Sequence, residues 1–247
     1  MTYQSHLKDR IAACRDTIRN YPHDVNSHGL SLNGSTVGRE LKEELPEGLR
    51  LLDISETDLT ILDGAKLPKS LRVIDAHATK LHTIRNLDQL PNLIELRLAF
   101  SPWLERIEGN FPPSLWSLTV RSCEHINKLP PLARTRLAFL VLTNSPNITT
   151  IPPLPETTVS ITLRGSGVKT LPFLPDRCDD ITLWNDPYYG AHYVGRAHDL
   201  REAQRKALRR ERYDALFEEL MMATWHPSRV SRWLEAGEDV LDMMMGC

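Results

Sequence analysis

The amino-acid sequence predicts an α/β solenoid: about eight parallel strands side by side on a concave face, a largely non-helical convex side, and helical caps at both ends. Three observations predict it. Leucine or isoleucine recurs at Leu30, Leu52, Ile74, Leu96, Leu118, Leu140, Ile161 and Ile181, at intervals of 22, 22, 22, 22, 22, 21 and 20 residues. Self-similarity of this period is the signature of stacked repeats. Two residues after each anchor stands a second apolar residue, Leu32, Ile54, Ala76, Leu98, Val120, Leu142, Leu163 and Leu183, the alternation of a strand buried on one face. Five residues after each anchor stands Ser35, Thr57, Thr79, Ser101, Cys123, Ser145, Ser166 or Asp186, a short side chain able to bond the backbone where the chain leaves the strand.

Further apolar residues follow at plus seven (Leu59, Leu81, Val168) or, with one inserted residue, at plus eight (Leu104, Ile126, Ile148). Most units then close on Leu-Pro or Phe-Pro, at Leu45-Pro46, Leu67-Pro68, Leu90-Pro91, Phe111-Pro112, Leu154-Pro155 and Leu174-Pro175. Proline fixes φ and removes a donor, so the convex side is expected to be extended, turn-like chain and not α-helix. Over roughly residues 25–189 the chain resembles the leucine-rich repeat family. Its short Leu-Pro units are similar to those of bacterial effector proteins and plant immune receptors, which read L-x-x-L-x-L-x-x-C-x-x-L. The resemblance implies that the small polar slot turns inward and that the concave sheet is the surface on offer.

The ends need covering, because a terminal repeat exposes an apolar face that a neighbour would have buried. At the amino end, residues 1–24 carry Leu7, Ile11, Ala12, Cys14 and Ile18 at helical spacing, which predicts an amphipathic cap. At the other end the repeats stop near Tyr188-Tyr189-Gly190, and residues 190–247 read as a helical domain. Residues 196–222 lack Gly and Pro, and Tyr213, Leu216, Phe217, Leu220 and Met221 form a stripe. A second helix is expected to begin at Pro227 and stop at Gly237, with Val230, Trp233 and Leu234 buried. The stretch from Trp225 to Asp239 resembles a carboxy-terminal tail, H-P-x-R-x-x-x-W-L-x-x-G, of proteins of large DNA viruses.

A formal net charge of -2 offers no general attraction to nucleic acid or to an anionic membrane, so neither is an expected partner. No apolar window is long enough to span a bilayer, and Lys8, Asp9 and Arg10 stand where a secretory signal would be apolar. The four cysteines, at positions 14, 123, 178 and 247, are too scattered to be paired terminal caps. A reducing, cytoplasmic setting is the expectation, the host cytoplasm if the tail resemblance holds.

Catalytic signals are weak. Cys178-Asp179-Asp180 resembles the Cys-x-Asp motif of bacterial effector ubiquitin ligases, but Cys178 falls three residues before anchor Ile181. That slot holds Leu49, Leu71, Leu93, Leu115 and Leu137 in other units, so Cys178 is expected to be a buried, inert thiol. The nine histidines include no helical pair with an adjacent carboxylate, and no metal or other cofactor is expected. Gly165-Ser166-Gly167 is the turn of its own repeat, and the basic run from Arg196 to Arg212 reads as a solvated helix face.

What remains is the concave sheet, where residues one and three after each anchor face outward. Arg97, Arg121, Phe139, Arg164 and Trp184 gather on its middle and carboxy-terminal strands, while Asp53 and Asp75 lie toward the amino end. Arginine and exposed aromatics are the types that anchor protein interfaces. The sequence therefore predicts a non-enzymatic module that binds a protein partner, not a small-molecule substrate, on the concave face. The alternative is a substrate-recognition adaptor for a ubiquitin ligase, with the carboxy-terminal helices as the recruiting element.

Overall fold

A computed structural model describes residues 3–20, 28–186, 190–196 and 200–212. In chain order the elements are α1 (Tyr3–Asn20), β1 (Gly29–Ser31), β2 (Leu51–Asp53), β3 (Ile61–Asp63), β4 (Val73–His77), β5 (Thr83–Arg85) and β6 (Glu95–Ala99). They continue with β7 (Arg106–Ile107), β8 (Ser117–Arg121), β9 (Phe139–Thr143), β10 (Ser160–Arg164), β11 (Asp180–Asp186) and β12 (Gly190–Arg196). Eight of these, β1-β2-β4-β6-β8-β9-β10-β11, form one parallel sheet in sequence order, and β12 adds antiparallel to β11. This is a leucine-rich-repeat solenoid. Its register pairs Leu30 with Leu52, Ile74 with Leu96, and Leu118 with Leu140, anchor against anchor.

Burial follows the sequence period. Every anchor is buried, as is every second apolar residue from Leu32 to Leu163, so the strands share one apolar core behind the sheet. The small polar slot runs through that core, bonding within its own repeat or to the same slot of the next. Thr57 Oγ1 donates to Ile54 O at 2.7 Å, the Thr79 and Ser101 hydroxyls meet at 2.8 Å, and Ser145 Oγ accepts from Cys123 N–H at 3.3 Å. Short hydroxyls here satisfy backbone groups that would otherwise be buried without partners.

One position before that slot, the chain turns through a left-handed residue after each of the first seven strands of the main sheet. Gly34, Glu56, Ala78, Phe100, Ser122, Asn144 and Gly165 all have φ between 50° and 67°. Only two of the seven are glycine, so five side chains sit in a conformation that L-residues rarely adopt. At Gly165 a Cβ would lie 2.8 Å from Asn144 Oδ1, so a larger residue there would require the Asn144 side chain to turn aside.

The convex side is non-helical, as expected, but its first half is more ordered than turn-like chain. β3, β5 and β7 form a second parallel sheet, followed by single 3-10 turns at Gly64–Lys66 and Leu87–Gln89. The Leu-Pro pairs lie beyond these strands. The carbonyls of Pro46, Pro68, Pro112, Pro155 and Pro175 accept from the N–H three residues on, turning the chain into the next strand.

At one edge of the main sheet the strand is covered by a helix, and at the other the parallel ladder gives way to an antiparallel strand. In β1, alternate carbonyls face away from β2, and α1 reaches them: Arg10 Nη1 donates to Ser31 O and Asn33 O at 3.3 and 3.2 Å, and Cys14 Sγ meets Gly29 O at 3.6 Å. Leu7, Ile11 and Cys14 are the buried face of this helix; Ala12 is exposed. At the far edge the chain forms β12 where the sequence pattern had indicated only the start of a helical region. Beyond it, residues 200–212 are helical, and Arg201 donates to the carbonyls of Pro175 and Asp176. Met1 to Arg201 form one compact unit and Glu202 to Cys247 a second. The expected second helix at 227–237 and the tail from Trp225 to Asp239 lie outside the described residues.

Candidate binding surface

Alternation along the strands turns one set of side chains outward, and the parallel register lines equivalent positions up across repeats. Arg97 on β6 is exposed but engaged: Nε donates to Glu95 Oε1 at 2.8 Å and Nη1 reaches Asp75 Oδ2 at 3.4 Å. Those carboxylates, together with desolvation that works the other way, hold the guanidinium above its ordinary range. Arg121, one strand on, is different. Its Nε donates to Thr143 Oγ1 at 3.2 Å, and no carboxylate meets it among the described residues.

Phe139 on β9 is half-buried and meets Trp116 edge to face, with centroids 4.6 Å apart. Arg164 is exposed on β10, and its Cα partner across the ladder is Trp184 of β11. The backbone of Trp184 is described; its side chain lies outside the described residues. The structure therefore brings Arg121, Phe139 and Arg164 onto three successive strands, β8, β9 and β10, while Arg97 on β6 is bound up with its own acidic neighbours.

The amino-terminal end of the face is acidic but internally satisfied. Burial pushes the Asp53 carboxyl up, yet hydrogen bonds from Ser55 and Ser31 outweigh it and hold the group below its usual range. Asp75 is paired with Arg97.

Among the described residues, four aromatics that the repeat pattern did not single out are exposed: Phe100, Trp103, Trp116 and, on the convex side, Phe173. Phe100 occupies the left-handed position after β6 and lies edge-on to His77 at 5.0 Å. Trp103 is flanked by His82 and His125 in near-parallel planes, with centroids 6.1 and 6.3 Å apart. Trp116 is 48% exposed two residues before its anchor. Phe100 and Trp116 fall in the plus-four and minus-two columns of the same repeat alignment, where an aromatic has no core to fill; Trp103 falls at plus seven of a repeat whose inserted residue moves the buried position to Leu104.

The cysteines among the described residues are not activated as nucleophiles. Cys178 is fully buried in the slot the repeat assigns it, and burial pushes its thiol up to about 11, against the opposing pull of Arg201. Cys123, also buried, is pushed to about 11 by the same cause. Among the described residues no group of His, Cys, Asp and Glu is placed to hold a metal, and no helix is long and apolar enough to cross a membrane.

No protein-family model matches the chain, and no curated protein matches it. Among solved structures it is similar to YopM from Yersinia enterocolitica WA-314, at 20% identity and a TM-score of 0.27, covering 70% of this chain. The chain spans about half, 48%, of that protein's length. So distant a likeness carries no functional argument, and the repeat fold stands on its own register and burial.

Proposed function

We propose that this protein is a non-enzymatic interaction module that binds a protein partner on the middle and carboxy-terminal part of its concave face. Arg121 carries the reading. It is an exposed guanidinium without a carboxylate among the described residues, one strand from the Phe139–Trp116 aromatic pair. A planar cation beside rigid aromatic area is the composition of an interface hot spot. Arg164 and Trp184 extend the surface by two strands; Arg97 contributes less, because Glu95 and Asp75 already neutralise it. The buried, free thiols of Cys14, Cys123 and Cys178 are compatible with a reducing cellular setting, and a viral origin with a host partner follows if the tail resemblance holds.

The test is capture of partners from cell lysate, identification by mass spectrometry, and affinity measurement with the purified partner. Arg121→Glu combined with Phe139→Ala should weaken binding by about 2 kcal/mol or more, near thirtyfold. Thermal melting of the variant separates lost binding from lost folding. Full affinity in a folded double variant would move the site off this face.

A further inference from the structure

The rim where the strands begin carries a second surface that the repeats do not require. Residues two before each anchor run along it: Arg50, Arg72, Ile94 and Trp116 on consecutive repeats. Their backbone serves the ladder. Arg72 N–H donates to Arg50 O at 2.7 Å, Ile94 N–H to Arg72 O at 2.8 Å, and Trp116 N–H to Ile94 O at 2.8 Å. Their side chains, with Arg136 from the next repeat, line a groove of about 940 Å³.

The groove is cationic. No carboxylate lines it, and among the described residues no ion pair reaches Arg50, Arg72 or Arg136. Elsewhere in the solenoid Arg85, Arg97 and Arg201 each meet an acidic side chain. The polar groups of the groove floor face the fold: Ser70 and Ser114 hydroxyls donate to Leu49 O and Leu93 O at 2.8 and 2.7 Å. What faces outward is guanidinium at both ends with Ile94 and the exposed Trp116 indole between. Like charges in one groove repel, and an anionic ligand reverses the sign of that energy.

Spacing selects the ligand. Arg50 and Arg136 belong to repeats four strand steps apart, β2 to β9, which is about 19 Å. That is the length of about six residues of extended peptide. One phosphate group is too compact to meet both ends. The strands that begin at this rim carry Asp53, Asp75 and Glu95, which disfavours a continuous polyanion such as RNA that runs on past the groove. We infer that the groove binds an extended acidic peptide segment of another protein, with carboxylates on Arg50 and Arg72 and on Arg136, and an apolar side chain between them on Ile94 and Trp116.

Fluorescence polarisation on the full chain tests this with three labelled probes: a peptide of about nine residues with glutamates flanking a central leucine pair, its glutamine counterpart, and an oligouridylate of similar length. The acidic peptide should bind about tenfold or more tighter than the glutamine form, and should weaken as salt rises from about 50 to about 300 mM. Arg50→Glu with Arg72→Glu should weaken it about tenfold or more, and Trp116→Ala about fivefold. Arg121→Ala, outside the groove, should change it less than about twofold, so this site and the concave-face site fail or stand separately. Equal binding of both peptides, indifference to the charge reversal in a chain of unchanged melting temperature, or tighter binding of the oligouridylate would each overturn the inference.

Discussion

The two halves of the convex side run on the same repeat yet hold together differently. In the repeats anchored at Leu52, Ile74 and Leu96, the buried convex residues Leu62, Ile84 and Ile107 are followed by Asp63, Arg85 and Glu108. In the next three repeats the corresponding follower is Pro130, Pro152 and Pro172. Glu108 N–H donates to Ile84 O at 2.7 Å and completes the β5–β7 ladder. Proline at that place has no N–H to give, so the second sheet stops at β7, and beyond it the described residues add only an isolated bridge, Thr150 to Thr170. One atom type per repeat decides whether the convex side is a sheet or a row of turns, while the concave sheet is the same in both halves.

The largest effect should come from attacking what the halves share. Leu118 is fully buried and Thr119, its neighbour, faces outward and is half-buried. Leu118→Asp should cost about 4 kcal/mol or more and collapse both halves together, while Thr119→Asp should stay within about 0.5 kcal/mol. Equal melting shifts for the two would refute the register.

Next comes the difference itself. Glu108→Pro should cost about 1–3 kcal/mol and strip hydrogen-exchange protection from β5 and β7, leaving β6 and β8 protected. The reverse change, Pro130→Ala, should produce a newly protected amide at position 130 if the missing N–H is the whole cause. A Glu108→Pro chain with an intact β5–β7 ladder would defeat the explanation.

Charge gives a smaller contrast, confined to the first half. Burial pushes the Asp63 carboxyl up, but hydrogen bonds from Asn86, from Ala65 N–H and from Arg85, with the charge of Arg85, hold it below its usual range. A depressed carboxylate stabilises the fold above its unfolded value of about 3.9, and that contribution is lost as pH falls through its folded value below it. Asp63→Asn should therefore cost about 1 kcal/mol at neutral pH, with the gap to the parent chain closing in acid. A gap that widens on acidification would reverse the sign assigned here.

The last contrast, whose glycine arm is the smallest effect, tests a feature common to both halves. At Glu56, with φ of 54°, glycine relieves the left-handed strain but loosens the unfolded chain, so Glu56→Gly should shift stability by no more than about 0.5 kcal/mol. Glu56→Val should cost about 1–2 kcal/mol, because a β-branched side chain fits that conformation worst.

Much of this was legible in residues whose neighbours in space repeat as regularly as their neighbours in sequence. Leu52, Thr79 and Cys178 each occupy a slot defined by several other repeats, so period alone places them. β12 was not legible, because its pairing with β11 is decided by an uncovered strand edge and not by a local pattern in Gly190–Arg196. The left-handed column was hidden by composition, with Glu56, Ala78 and Phe100 where glycine would have marked the turn. On the surface, type and position identified Arg121 and Phe139 as outward-facing, but whether a charge is already spent depends on rotamers. Arg97 and Arg121 look alike in sequence and differ in whether a carboxylate reaches them.

The covering of β1 by Arg10 and Cys14 has a consequence for assembly. A parallel strand edge with outward carbonyls at Gly29, Ser31 and Asn33 is a growing end, shaped to accept one more strand of the same kind from any chain that offers it. Solenoids with both ends bare would behave as monomers of a linear polymer, adding without limit. α1 acts as a chain terminator at the β1 end, while at the other end the antiparallel β12 replaces the parallel edge that a further repeat of the same kind would need.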